Sequence, residues 1–126
     1  MLDEPQPKPV RWIGSSRDDV RTFPEDVRLA VGGALWDAQI GRKAPWAKPL
    51  RSFGGAGVLE IIDDYDGDTY RAIYTVRFAG AVYVLHAFQK KSKSGIATPR
   101  HEIALIERRL KQAKEDYEQW ITTASR

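Results

Sequence analysis

The stretch VLEIIDDYDGDTYRAIYTVRFAGAVYVLHAFQ, residues 58–89, decides the fold. It splits into three β-rich runs, Val58–Tyr65, Thr69–Phe78 and Ala81–Gln89, parted by turn dipeptides. Asp66-Gly67 suits a two-residue type I′ hairpin, in which both central residues need positive φ. Ala79-Gly80 reads as a second hairpin turn. Tight turns fix the register, because strand side chains alternate with period two. The first turn sets Ile62 opposite Arg71 and Leu59 opposite Tyr74. The second sets Arg71 opposite Phe88 and Tyr74 opposite Leu85. One face then collects Leu59, Ile61, Ala72, Tyr74, Val76, Tyr83, Leu85 and Ala87, and is expected to receive helices. The other collects Glu60, Arg71, Arg77, His86 and Lys90 among Val58, Ile62, Ile73, Val84 and Phe88. A polar strip across that second face is where the chemistry is expected.

Beyond the third run the chain turns basic. Lys90, Lys91, Lys93 and Arg100 fall in a stretch with no carboxylate, around Ser92, Ser94 and Gly95. Lysines delivered by a strand into a Gly/Ser loop suit phosphate. Thr98 then caps a long helix with Pro99 at its first position. Ile103, Ile106, Leu110, Ala113, Tyr117 and Trp120 step by three and four, so one stripe of that helix faces the core.

Upstream, Gly41–Gly57 is rich in Gly, Pro and cations (Arg42, Lys43, Lys48, Arg51) and reads as an exposed loop. Before it, Thr22-Phe23-Pro24-Glu25 has capping-box spacing. Val27, Ala30, Val31, Ala34, Leu35 and Ala38 follow at helical spacing. Gly32-Gly33 inside that helix costs about 1–2 kcal/mol relative to alanines, which points to close packing against another backbone. Ser16 with Asp19 starts a shorter helix, with Ser16 as its cap. Pro9–Ile13 reads as a strand. The expected class is α+β: an N-terminal strand, two helices, a three-stranded antiparallel meander and a C-terminal helix on the sheet. Residues 1–9 read as a flexible leader, 10–121 as one domain and 122–126 as a frayed tail.

The composition fits that plan. The 126 residues are 42% hydrophobic, enough for a core rather than disorder. There is no cysteine, which excludes a disulfide framework or thiolate metal site. Two histidines without ligand spacing argue against structural zinc, so no metal or cofactor is expected. No apolar run reaches the ~20 residues of a membrane helix, and the expected compartment is the cytoplasm. The net charge of +3 says little, but its distribution says more. Glu60, Asp63, Asp64, Asp66 and Asp68 crowd one end of the sheet, whereas 86–100 carry no acid. Polarised charge steers partners.

Plainer roles stand beside these. A strand arginine such as Arg71 pairs readily with a carboxylate such as Glu60. His86, between Leu85 and Ala87, reads first as a buried, hydrogen-bonded histidine. The lysines suit a solvated loop as well as a phosphate site. Trp46 stands apart from the other tryptophans as a contact for a partner or a base.

Tyr70-Arg71-Ala72-Ile73-Tyr74, then Val84 through Lys93, then Thr98-Pro99, in this order and spacing, resemble the phage-derived HigB-like branch of the RelE toxin superfamily. Lys48-Pro49-Leu50, Leu59-Glu60 and the final amphipathic helix are similar too. The resemblance covers most of residues 10–118, and Phe88, Lys90, Lys91, Thr98 and Pro99 form its sharpest block. It implies a compact α+β fold and the toxin of a type II toxin–antitoxin pair. Many members cut mRNA on the ribosome without metal; some relatives poison DNA gyrase. The implied partners are mRNA, the ribosome and an antitoxin from the adjacent gene, usually a helix-turn-helix protein, in a toxin–antitoxin heterotetramer. Arg71 matches the arginine placed at the scissile phosphate, and Lys90, Lys91 and Lys93 match the basic segment. Glu60 and His86 are the further candidates for proton transfer, with Lys48, Arg51, Arg77 and Arg100 as phosphate contacts. This chain departs by carrying Ile61, Ile62 and Asp63 where members often have a basic residue. The other functional classes are a toxin that blocks gyrase or another partner by surface contact, and a nucleic-acid-binding regulatory module of phage origin.

Overall fold

The Asp66-Gly67 turn forms as expected, with φ of 53° and 86°, and it closes the longest hairpin of the sheet. The computed structural model describes residues 6–53, 57–90 and 98–124. In chain order the elements are β1 (Val10–Trp12), α1 (Ser16–Arg21), α2 (Glu25–Gln39), β2 (Ala47–Pro49), β3 (Val58–Tyr65), β4 (Asp68–Thr75), β5 (Val82–Lys90) and α3 (Arg100–Ala124). A short 3₁₀ turn, Arg51–Phe53, links β2 to β3. The five strands lie in the order β1-β5-β4-β3-β2. β1 runs parallel to β5, and the remaining pairs are antiparallel. The α+β class and the helix on the sheet are as expected.

The expected exposed loop at 41–57 is partly ordered as β2, which pairs with β3 and buries Ala44, Ala47 and Leu50. Small and apolar residues spaced between its cations supply that inward side, which composition alone hides. The second hairpin is looser than Ala79-Gly80 predicts. β4 ends at Thr75, whose Oγ1 donates to the Gly57 carbonyl at 2.8 Å. Helix starts differ as well. Ser16 is buried and donates to the Val84 carbonyl at 3.2 Å, so it fastens α1 to β5 rather than capping it. Thr22 Oγ1 donates back to the Asp19 carbonyl and closes α1, while Pro24 occupies the cap position of α2. The leader is pinned at Lys8, which exchanges hydrogen bonds with Gln39. α3 continues through Ala124, beyond the expected boundary at 121.

The register of β3 and β4 is as predicted, with Ile62 opposite Arg71 and Leu59 opposite Tyr74. Arg71 also lies opposite Phe88, but Tyr74 pairs with Val84, not Leu85. A bulge at Leu85 inserts one residue into β5, and a bulge reverses the alternation beyond it. Val82 and Val84 therefore join Leu59, Ile61, Tyr70, Ala72 and Tyr74 beneath α1 and α2. Tyr83 and Leu85 cross to the α3 side, with Val58, Ile73, Ile106 and Ala113. Helices cover both faces, so the polar strip lies under α3.

Tyr74 is fully buried, and its hydroxyl has no partner among the described residues. Burial pushes that phenol up to about 12. A buried hydroxyl without a hydrogen bond costs about 1–3 kcal/mol. Tyr74→Phe is therefore expected to leave stability unchanged or to raise it by about 1 kcal/mol, read by urea unfolding.

The second half of α3 is fastened at Asp116. Arg11 Nε donates to Asp116 Oδ2 at 2.7 Å, and the Tyr83 hydroxyl donates to the same oxygen at 2.6 Å. The Arg11 guanidinium lies 5.2 Å from the centre of the Trp120 ring. These donors hold the Asp116 carboxyl below its ordinary 3.8. Its contribution is present above that ordinary value and is lost as pH falls toward the depressed one. Side-chain exposures of 34% and 38% for Arg11 and Asp116 let water screen the pair. Asp116→Asn is expected to cost about 1 kcal/mol at neutral pH and less in acid, by urea midpoints.

Candidate functional site

The strip is built from residues that point the same way on neighbouring strands. Lys48 on β2 lies opposite Glu60 on β3, and residues opposed across an antiparallel pair share a face. Arg71 follows diagonally on β4. Its Nη1 is 3.5 Å from Glu60 Oε2 and donates to Thr98 Oγ1 at 3.1 Å. Both are buried, Glu60 at 7% and Arg71 at 3% exposure. Burial pushes the Glu60 carboxyl above its ordinary value, while Arg71, Lys48 and the Thr98 hydroxyl pull it back. The result is a carboxylate with raised proton affinity beside a fixed guanidinium.

His86 and Phe88 continue the face on β5, their rings stacked 5.0 Å apart. His86 is bonded at both ring nitrogens. Arg109 Nη1 lies 3.2 Å from Nδ1, and Glu102 Oε2 lies 2.7 Å from Nε2. A guanidinium only donates, so Nδ1 accepts and the proton stands on Nε2, toward Glu102. This is the hydrogen-bonded core histidine that its apolar flanks imply. Arg109 is itself anchored, donating to the Leu85 carbonyl at 3.0 Å and to Ser15 Oγ at 3.2 Å. Gly14, at φ 57°, leaves room for it: a Cβ there would sit 2.8 Å from the guanidinium.

The remaining predicted residues form a rim or lie apart. Lys90 pairs with Thr69, two places beyond Phe88, and so shares the Arg71 face. Lys48, Arg51 and Arg100 are exposed, Arg100 opening α3 two residues after Thr98. Arg77 is not on the strip. It follows the end of β4, and its backbone N–H donates to Thr75 Oγ1. Lys91 and Lys93 lie outside the described residues. Among the described residues no group of three or more His, Asp and Glu side chains is arranged to hold a metal ion, and no helix is long and apolar enough to cross a membrane.

The Thr98 hydroxyl, just ahead of α3, turns inward to Arg71 and Glu60. Sequence reading misses Glu102 and Arg109 as well. A usable signal was present, since 102, 106, 109 and 113 lie on one helical stripe, two charges alternating with the buried Ile106 and Ala113. Gly33 packs against the Trp46 indole rather than a backbone; a Cβ there would be 3.4 Å from the ring. Trp46 Nε1 donates to the Ala30 carbonyl, yet the side chain stays 46% exposed.

A mixed sheet with helices on both faces, and a buried Arg–Glu pair with exposed cations near it, define an α+β domain with a polar strip under its last helix. The sequence matches the family described as phage derived protein Gp49-like (DUF891) over residues 18–111, and the chain belongs to that family. This is a RelE-type toxin family. Among solved structures the chain is similar to the toxin–antitoxin complex RelBE2 of Mycobacterium tuberculosis. The identity is 23%, with a TM-score of 0.42, covering 71% of this chain and 100% of the other. No curated protein matches the sequence.

Proposed function

We propose that the protein is the toxin of a type II toxin–antitoxin pair, of the HigB-like branch, and that it cuts mRNA on the ribosome with its own side chains. The observation that carries this reading is the strip Lys48, Glu60, Arg71 and Lys90 on one sheet face. In the reaction the RNA 2′-oxygen attacks the adjacent phosphorus and the P–O5′ bond breaks, leaving a 2′,3′-cyclic phosphate. Glu60, with raised proton affinity, takes the 2′ proton. Arg71 grips two phosphate oxygens and stabilises the phosphorane. Lys90, or Lys91 after it, gives the 5′-oxygen its proton. The exposed cations Lys48, Arg51 and Arg100 meet the RNA backbone, and the ribosome supplies substrate positioning. The antitoxin is a helix-turn-helix protein from the adjacent gene, assembled with the toxin as a heterotetramer in the cytoplasm. Primer extension on cellular mRNA after induced expression, with and without the neighbouring gene, tests the reading. Cleavage ends that appear only without the neighbour support it; intact mRNA during growth arrest refutes it.

One observation favours a second reading, a toxin that blocks gyrase or another protein by surface contact. Leu29 and Trp36 on α2, and Trp46, whose indole packs on Gly33 of that helix, are apolar side chains at 65%, 50% and 46% exposure. A contact toxin would lose growth arrest on Trp36→Ala and Trp46→Ala and leave mRNA intact, whereas a nuclease would keep its cleavage.

A further inference from the structure

We infer that the entry to α3 with its first turn, Thr98 to Glu102, is a displaceable cover over the strip, and that Thr98 and Glu102 hold the places a phosphodiester takes when it binds. The ligand half of this inference rests on the proposed RNA reading; the mechanical half does not.

Two facts carry it. First, the groups best able to receive an anion are engaged by the entry to α3 and its first turn. Arg71 donates to the Thr98 hydroxyl, and His86 Nε2–H meets the Glu102 carboxylate. The carboxylate oxygen of Glu102 sits where a phosphate oxygen could take the same proton donor. Second, the fastening of α3 is uneven along its length. From Ile103, which packs against the buried cluster, it is secured by apolar burial and by bonds to other elements. Ile106 and Ala113 are fully buried, Arg109 is bonded to Leu85 and Ser15, and Asp116 to Arg11 and Tyr83. Tyr117 stacks on Phe78, and its hydroxyl accepts from the Gly80 N–H. Ahead of Ile103, the ties to the sheet include the two polar contacts at Thr98 and Glu102, while Arg100 and His101 are exposed. Helix ends open locally at far less cost than whole helices.

Opening that turn uncovers Arg71, Glu60 and His86 while Arg109 keeps its grip on the His86 ring. It also removes one carboxylate from the site and leaves Arg100 and His101 at its edge. The resting chain is thereby self-occupied, and an arriving polyanion replaces Glu102 rather than entering an open cleft.

The test uses the full chain and the double variant Thr98→Val/Glu102→Ala. Phenylglyoxal labelling of arginines, mapped by mass spectrometry, reads access without any ligand. Arg71 is expected to label about tenfold faster in the variant, since removing the two contacts favours the open turn by that factor. Arg11, held by Asp116 and Trp120, is expected to label at the wild-type rate. Unchanged labelling of Arg71, or equal acceleration of Arg11, overturns the cover, and does so whether or not the wild type cleaves mRNA. A short single-stranded oligoribonucleotide is then titrated by fluorescence anisotropy. About tenfold tighter binding to the variant, with Arg71 protected from the reagent, supports the phosphodiester assignment. Faster labelling without tighter RNA binding overturns that assignment.

Discussion

Replacing Arg71 by alanine is expected to abolish growth arrest on induced expression and to slow ribosomal mRNA cleavage about 10²–10³-fold. Among the described residues of the strip the guanidinium is the one strongly buried cation, 3.5 Å from Glu60. A fixed charge stabilises a phosphorane without reorganising, which a solvated lysine on the rim cannot match. Breaking a buried ion pair from one side can cost about 3–5 kcal/mol, so alanine alone would confuse catalysis with folding. Here the cost is expected at the low end of that range, because the pair is long at 3.5 Å. Arg71→Lys separates the two effects. It keeps the charge but loses the fork that grips two phosphate oxygens. The lysine variant should stay folded by circular dichroism yet lose at least about tenfold in cleavage. Full activity in Arg71→Lys, or undiminished arrest in Arg71→Ala, would remove Arg71 from the reaction.

The strip was legible because turn chemistry and period-two alternation are local. Asp66-Gly67 fixes the pairing of β3 with β4, so Glu60 and Arg71 share a face before any tertiary contact is considered. Lys90 follows from the count at the second turn because the extra residue of the bulge offsets the looser turn, so Arg71 still opposes Phe88 beyond it. What failed depends on tertiary context. Nothing in Val84-Leu85-His86 announces an extra residue in the ladder, yet the bulge at Leu85 carries Tyr83 to the α3 side, where it bonds Asp116. The pairing of Lys48 with Glu60 lay in a segment whose Gly, Pro and cations read as loop, because a three-residue edge strand leaves almost no periodic signal. The covering role of Thr98 and Glu102 was hidden for another reason. A Thr-Pro start explains a helix cap so well that a hydroxyl turned inward toward Arg71 has no separate signature.

Glu60→Gln is expected to slow cleavage about 10²–10⁴-fold and to change how stability depends on pH, and the two effects share one cause. Burial raises the proton affinity of Glu60 above the ordinary 4.5, outweighing Arg71, Lys48 and Thr98. Between 4.5 and the raised value the folded chain holds more protons at this site than the unfolded chain. Stability from this group therefore falls as pH rises through that window, and it is flat below 4.5, where both states are protonated. Asp116 acts in the opposite sense and below 3.8, so the two contributions do not overlap. Glutamine abolishes the Glu60 slope and leaves the Asp116 slope in place, as urea midpoints across the acid range would read. In the cleavage assay, a base of raised proton affinity gives wild type an acidic limb that ends at the folded value, and the glutamine variant has no such limb. Lys48→Ala supplies the independent arm. Lys48 is exposed and holds the Glu60 value down, so its removal should move both the limb and the stability slope to higher pH. A limb that moves without the slope would assign proton transfer to a different group. If both move together, the carboxylate buried for the fold is the one that takes the 2′ proton.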